Sequence, residues 1–128
     1  MGSPAAVMGD RINGTCVGHQ VPAPSGTAPA PPLAFSAPVT INVAATVLVG
    51  GRAAVVAGSS GYNTPPHVGL HASDPHATPI NQIGRVVRGS STVLVEGKPM
   101  AMTGAPCTID FGITGNLVGS AGNVLVGG

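Results

Sequence analysis

Short β-branched runs alternate with glycine along the chain, and one such phrase occurs three times. Residues 46–51 read TVLVGG, residues 92–97 read TVLVEG and residues 123–128 read NVLVGG. Each apolar run is followed by Gly-Gly or Glu-Gly, a pair that supplies the positive φ of a tight turn. The pattern predicts three strand-turn-strand corners whose strands cover residues 47–49, 93–95 and 124–126.

The repeat is longer than this phrase. AAVVAGSS at 53–60, PMAMTGAP at 99–106 and PAAVMGDR at 4–11 can be aligned so that Gly9, Gly58 and Gly104 coincide. Recurrence at this scale indicates one supersecondary unit used several times. We therefore expect the chain to enter halfway through one copy of the unit and to leave halfway through another.

Glycine and proline interrupt every stretch in which a helix could begin. The chain contains 20 Gly and 13 Pro, and no apolar stripe with helical spacing persists. These observations predict an all-β fold, as a single domain over residues 1–128. Three Gly/Pro-rich loops are expected between the corners, at about 11–42, 59–84 and 105–116, and the Pro-rich part of the first loop is expected to cross the surface in an extended conformation.

Charge and hydropathy exclude several classes of function. Five Lys and Arg balance four Asp and Glu, so the chain has no basic surface for nucleic acid and no polybasic segment for a membrane. Apolar runs are far shorter than the roughly 20 residues that span a bilayer. The N-terminus lacks the pattern of a secretory signal peptide, which predicts that the protein is made in the cytoplasm.

All Cys and His residues lie in the three predicted loops: Cys16 and His19 in the first, His67, His71 and His76 in the second, and Cys107 in the third. Thiolate and imidazole ligands in four-coordinate geometry favour Zn²⁺, and the Cys16/His19 and His67/His71 spacings are typical of metal sites. The sequence predicts a zinc site whose ligands come from Cys16, His19, His67, His71 and Cys107. His76 is expected to be a solvated side chain.

Other interpretations of the same residues are weaker. A disulfide between Cys16 and Cys107 would be rare in a cytoplasmic protein. A Cys nucleophile with a His base would need Asp10, Asp74 or Asp110 to orient the base, but a core of small aliphatic residues offers little to shape a substrate cleft. The VLVGGRAAVVAGSSG stretch lacks the helix and the acidic residue of a dinucleotide-binding turn, because a Pro-Pro pair follows it.

PAAVMGDR, GGRAAVVAGS, EGKPMAMTG and the repeated TVLVGG resemble the PAAR-repeat proteins over essentially the whole chain. These proteins are the tips of contractile injection machines such as the type VI secretion system and phage-tail-like particles. GTCVGHQ and NTPPHVGLH are similar to the PAAR-like branch, which has longer loops. The resemblance implies a small β-rich cone or pyramid whose repeats are related by a pseudo-threefold axis.

The resemblance also implies a non-enzymatic function. The flat base of the cone would cap a trimeric VgrG-like or phage spike protein with one chain per trimer, and a zinc ion near the apex of the cone would stiffen the loops. The tip would be assembled on the particle, delivered out of the cell to contact a target membrane briefly, and could attach effector cargo. Family tips use several His and one Cys from different repeats, which matches His19 and His67 and favours His71 with either Cys16 or Cys107 for the remaining places.

The chain departs from the commonest family pattern at the namesake motif. Its Arg is replaced in all three units, by Val7, Val56 and Met102, and its Asp is kept only as Asp10. Any role that the family gives to that Arg has no matching residue in this protein, whereas the architecture depends on the Gly and β-branched positions. A free-standing zinc-dependent hydrolase or toxin is the alternative function.

Overall fold

A computed structural model describes residues 2–24 and 26–127, without the side chains at positions 111, 122 and 123; the last residue of the third phrase, Gly128, is therefore outside the described residues. Fourteen strands and two short 3₁₀ turns, with no α-helix in these ranges, confirm the predicted all-β class. The strands are β1 (Gly2–Ala5), β2 (Arg11–Cys16), β3 (Gln20–Ala23), β4 (Gly26–Pro29), β5 (Leu33–Pro38), β6 (Leu48–Val49), β7 (Arg52–Ala53), β8 (Ser60–Tyr62), β9 (Ile83–Val86), β10 (Leu94–Val95), β11 (Lys98–Pro99), β12 (Pro106–Thr108), β13 (Thr114–Val118) and β14 (Ala121–Gly127).

The three repeats meet in a closed ring of backbone hydrogen bonds. The N–H of Ala6 donates to the carbonyl of Ala101, that of Ala101 to Val55, and that of Val55 to Ala6, at 3.2, 2.8 and 3.0 Å. All three residues are fully buried. Because each unit donates to one neighbour and accepts from the other, the ring has the pseudo-threefold arrangement that the family resemblance implies.

The aligned glycines form a second set of equivalent contacts. The N–H groups of Gly9, Gly58 and Gly104 donate at 3.0, 2.8 and 2.9 Å to carbonyls at or next to the ends of β5, β9 and β13, those of Val39, Val86 and Leu117. Their φ angles are 97°, 94° and 87°, in the left-handed region that glycine adopts without strain. A residue with a side chain would be strained at the same place in each unit, so the repeat keeps glycine there.

On one side of the ring lie the predicted corners. β6 pairs with β7 and β10 pairs with β11, both antiparallel, through turns at Gly50-Gly51 and Glu96-Gly97. Both turn residues have positive φ in each hairpin, as the sequence predicted, and this is the type I′ pattern. The third corner is assembled from the chain ends, where β1 pairs antiparallel with β14. We call this side of the ring the base.

On the other side of the ring, the predicted loops contain strands that the sequence did not predict. β2 pairs with β5, β8 with β9, and β12 with β13, and these hairpins join in the order β5-β2-β13-β12-β9-β8. The outer strands approach each other, since the N–H of Thr64 donates to the carbonyl of Ser36 at 2.9 Å. The result is a nearly closed six-stranded sheet. The Pro-rich first loop also forms a hairpin, β3 with β4, instead of a single extended crossing.

The core has two parts, one on each side of the ring. Val49, Val95 and Val126 pack in the base, whereas Ile12, Phe35, Leu117 and their neighbours fill the six-stranded sheet. β2 leaves the ring at Arg11 and reaches Cys16 after a rise of roughly 17 Å. The remaining parts of the predicted loops therefore lie at the end of the sheet opposite to the base. The described residues include no helix long and apolar enough to cross a membrane.

Replacing Gly61 by alanine is expected to destabilise the protein by about 3 kcal/mol, because the new methyl group would overlap the backbone. A Cβ atom at this buried position in β8 would lie 1.9 Å from the carbonyl oxygen of Pro38, which cannot move without breaking the sheet. Gly127→Ala is the matched control, since a Cβ there meets nothing within 4 Å. Urea unfolding of both variants measures the difference, and equal midpoints would contradict the close approach of β5 and β8.

Candidate metal centre

Four potential ligands converge at the end of the sheet opposite to the base. They are Cys16 at the end of β2, His19 in the first loop, His67 in the second and Asp110 in the third. One ligand atom from each lies within 4.8 Å of the others. We call these four residues the metal group. Because every loop contributes, an ion held here would join all three.

His67 is oriented by the backbone around it. Its Nε2 lies 2.8 Å from the carbonyl oxygen of Ala34, which only accepts, so Nε2 carries the proton and Nδ1 carries the lone pair. Nδ1 faces Asp110 Oδ2 at 3.9 Å. Within the part of the chain that the structure describes, this buried Nδ1 and Asp110 Oδ1 have no hydrogen-bond partner. Buried polar atoms in that state are the ones that a bound metal ion would satisfy.

A buried glutamine supports the second loop. The Oε1 atom of Gln82 accepts the N–H of His67 at 2.7 Å and the side-chain N–H of Asn63 at 3.2 Å, while Nε2 donates to the carbonyls of His67 and His76, both at 3.0 Å. Gln82 is fully buried and its side chain makes four hydrogen bonds. The backbone at His67 and at His76 is thereby fixed to Gln82 at the end of the sheet.

Asp110 is placed by its neighbour Ile109. Cβ atoms at Gly14 in β2 and Gly115 in β13 would lie 2.7 and 2.9 Å from the Ile109 side chain, so this side chain occupies the space that the two glycines leave. Ile109 and Asp110 are both buried. Packing of Ile109 over these strands holds the next residue at the end of the sheet, beside His19 and Cys16.

Burial changes the acid-base properties of the metal group. It raises the pKa of Cys16 to about 12, with the Asp110 carboxylate adding to the effect, and the Cys16 thiol donates to Asp110 Oδ2 at 3.5 Å. Burial also raises the pKa of Asp110, against the opposing influence of His76, Cys16, His19 and His67. A divalent cation would offset the cost of burying these two anionic ligands.

Asp74 is a second buried carboxylate, on the opposite edge of the His19 ring. Its Oδ2 lies 3.0 Å from His19 Nδ1. Burial alone would raise the pKa of Asp74, but the backbone N–H groups of Gln20 and His76 and the His19 ring outweigh it, so the pKa lies below its ordinary value. Asp74 is therefore held as a carboxylate next to a ring whose Nε2 is 3.3 Å from Asp110 Oδ2.

Three of the five predicted ligands come together and two do not. Cys16, His19 and His67 belong to the metal group. His71 is half-buried, and its Nδ1 is 2.8 Å from the hydroxyl of Ser73. Cys107 lies in β12 with its side chain in the core, where its thiol donates to the Ala105 carbonyl at 3.3 Å and burial raises its pKa to about 11. Both cysteines are free thiols, so the disulfide alternative is not realised.

Two residues at this end were not predicted from the sequence: Asp110 as a potential ligand and His76 as a largely buried side chain. The expectation of a solvated His76 is wrong, because its side chain is only 18% exposed and its ring lies 5.9 Å from that of His19. His76 forms a second group of potential ligands with His19 and Asp74. The available signal was that Asp74 shares the second loop with three histidines and Asp110 shares the third loop with Cys107, among only four acidic residues in the chain.

Comparisons with known proteins identify no relative: no family model matches the chain, and neither any curated protein nor any solved structure matches it. The chemistry of the site must therefore be judged from its own residues. A thiol, two imidazoles and a carboxylate, all buried or nearly so, form a set that could hold a metal ion. The two polar atoms without hydrogen-bond partners fit the same conclusion.

Proposed function

We propose that this protein is the metal-stabilised, non-enzymatic tip of a contractile injection system, and that its base caps a trimeric β-helical spike. The pseudo-threefold ring of Ala6, Val55 and Ala101 is the observation that carries the proposal. A single chain with three equivalent corners can contact each chain of a threefold trimer in nearly the same way. The similarity of its repeats to the PAAR-repeat proteins supports the same assignment.

The base presents equivalent apolar residues for such a contact. Leu48, Leu94 and Leu125 occupy the same position in the three corners and are 63%, 62% and 61% exposed, whereas the valines that follow them are buried. Fully burying a leucine side chain is worth about 1.5–3 kcal/mol relative to leaving it in water. Three leucines with matching exposure around one axis suit a partner that has the same symmetry.

Zinc is the metal that we propose for the opposite end. One thiolate, two imidazoles and one carboxylate suit Zn²⁺ in tetrahedral coordination. Cys16, His19 and Asp110 are almost completely buried, which favours a closed structural site over a catalytic site with an open position for water. The ion would hold together three loops that share only a thin core, and so would stiffen the end that meets a target membrane. The same burial disfavours the zinc-dependent hydrolase or toxin.

Native mass spectrometry tests the proposal directly. When the untagged protein is mixed with a cognate trimeric β-helical spike, we expect a complex of one chain per trimer, and elemental analysis of the protein alone should give about one equivalent of zinc. A verified cognate trimer that forms no complex would refute the cap. Protein that contains no zinc after expression in zinc-supplemented medium would refute the metal centre independently of the cap.

A further inference from the structure

Asp74 contacts His19 of the metal group but is not one of the four residues of that group. Its two oxygens each accept a backbone N–H, Oδ2 from Gln20 at 2.9 Å and Oδ1 from His76 at 2.7 Å. Oδ2 also meets Nδ1 of His19 at 3.0 Å. A carboxylate whose oxygens both receive N–H groups acts as an acceptor, so the ring nitrogen beside it must be the donor.

The tautomer of His19 follows from this contact. A neutral imidazole carries one proton, and a proton on Nδ1 places the ring lone pair on Nε2. Nε2 is the nitrogen on the side of the metal group, 3.3 Å from Asp110 Oδ2. The two histidines of the group are thus fixed in opposite tautomers, His67 by the Ala34 carbonyl and His19 by Asp74.

We propose that Asp74 is a positioning residue for the metal ion, which keeps His19 in the Nδ1–H tautomer and directs its Nε2 toward the metal group. The inference rests on the metal centre of the proposed function. Carboxylates that accept the N–H of a metal-ligating histidine, on the ring nitrogen that does not bind the metal, fix the ring and raise its basicity, and their loss typically costs 10–100-fold in metal affinity.

Asp74 could also serve the fold alone, because it ties the second loop to the first through Gln20. The tautomer of His19 distinguishes the two roles, because a purely structural carboxylate would not need a proton on Nδ1; the substitution Asp74→Asn perturbs the contacts to both Gln20 and His19. Asparagine keeps the shape of the side chain but replaces one acceptor oxygen by a donor NH₂ group. If the amide faces His19, the ring must become an acceptor at Nδ1 and carry its proton on Nε2, where the proton competes with the metal.

The experiment combines ¹⁵N NMR of the histidine rings with zinc titration. At about pH 8, where an ordinary imidazole is neutral, His19 of the metal-free wild-type protein should carry its proton on Nδ1. Asp74→Asn should shift His19 toward the Nε2–H tautomer and weaken zinc binding by about 10–100-fold. Asp10→Asn is the matched control. Asp10 is a buried carboxylate next to the backbone hydrogen-bond ring of Ala6, Val55 and Ala101, where it accepts the N–H groups of Val7 and Ser120 at 2.8 and 3.0 Å.

Asp10→Asn should lower the thermal unfolding midpoint and leave both the His19 tautomer and the zinc affinity unchanged. An Nε2–H tautomer in the wild-type protein would overturn the inference, and this measurement stands even if Asp74→Asn fails to fold. Wild-type zinc affinity in a folded Asp74→Asn protein would overturn it as well. Wild-type protein that binds no zinc would instead refute the proposed metal centre, so the two failures are distinguishable.

Discussion

Replacing His67 by alanine is expected to weaken zinc binding by on the order of 1,000-fold, because it removes a direct ligand, and even outer partners of ligands contribute 10–100-fold. The Nδ1 atom of His67 faces the metal group and has no hydrogen-bond partner within the described residues. The thermal unfolding midpoint of the zinc-loaded variant should fall to that of chelator-treated wild-type protein, since only the folded state presents the assembled site.

His71→Ala is the matched control for this prediction. His71 lies four residues away in the same loop, but its ring contacts Ser73 and lies outside the metal group. Its removal should leave zinc affinity and the difference in unfolding midpoint between zinc-loaded and metal-free protein unchanged. Competition with a chromophoric chelator gives the affinities, and differential scanning calorimetry gives the midpoints. Equal zinc affinities for the two variants would exclude the arrangement of the second loop described above.

The repeated corners were predictable because their signals are local. A run of three apolar residues followed by two residues with positive φ specifies a tight hairpin without reference to the rest of the chain. Gly50-Gly51 and Glu96-Gly97 form the turns that the sequence indicates. The alignment of Gly9, Gly58 and Gly104 was equally informative, because a left-handed backbone at each of them is required by the same contact in each unit.

The six-stranded sheet was missed because its inward positions are often small. In β2, the side chains of Ile12 and Cys16 face the core, but the position between them is Gly14. β13 likewise presents Gly115 before Leu117 to the core. Glycine in a strand interrupts the alternation of apolar and polar residues, so the sequence pattern predicts a loop there. Here it makes room for the Ile109 side chain from a different segment, a contact that only the tertiary structure reveals.

The ligands were only partly predictable for a related reason. Spacing along the chain indicated His67 and His71 equally as metal ligands. In the structure, however, the backbone N–H of His71 donates to the carbonyl of Gln20 at 2.8 Å, and the His71 ring contacts Ser73. Asp110 lies three residues after Cys107, but the Cys107 side chain is in the core, and Asp110 reaches the site through the packing of Ile109. Membership of a metal site built from separate loops depends on how the loops pack.

The triple substitution of Leu48, Leu94 and Leu125 by glutamate is expected to abolish binding to the trimeric spike. Each leucine is more than 60% exposed, so its burial in the complex should contribute about 1 kcal/mol, and a glutamate forced into the same apolar contact adds a desolvation cost. The affinity should fall by at least about 1,000-fold. Zinc content and thermal stability should change little, because these side chains already face solvent in the free protein.

The control for the base carries three glutamates at the opposite end of the molecule. Val17, Val68 and Ile80 are exposed apolar residues of the first and second loops, and their triple substitution changes charge and hydropathy by a similar amount. This variant should bind the spike as the wild-type protein does in native mass spectrometry. If instead the loop variant loses binding while the base variant keeps it, the end that carries the metal group is the docking surface, and the proposed orientation of the tip is inverted.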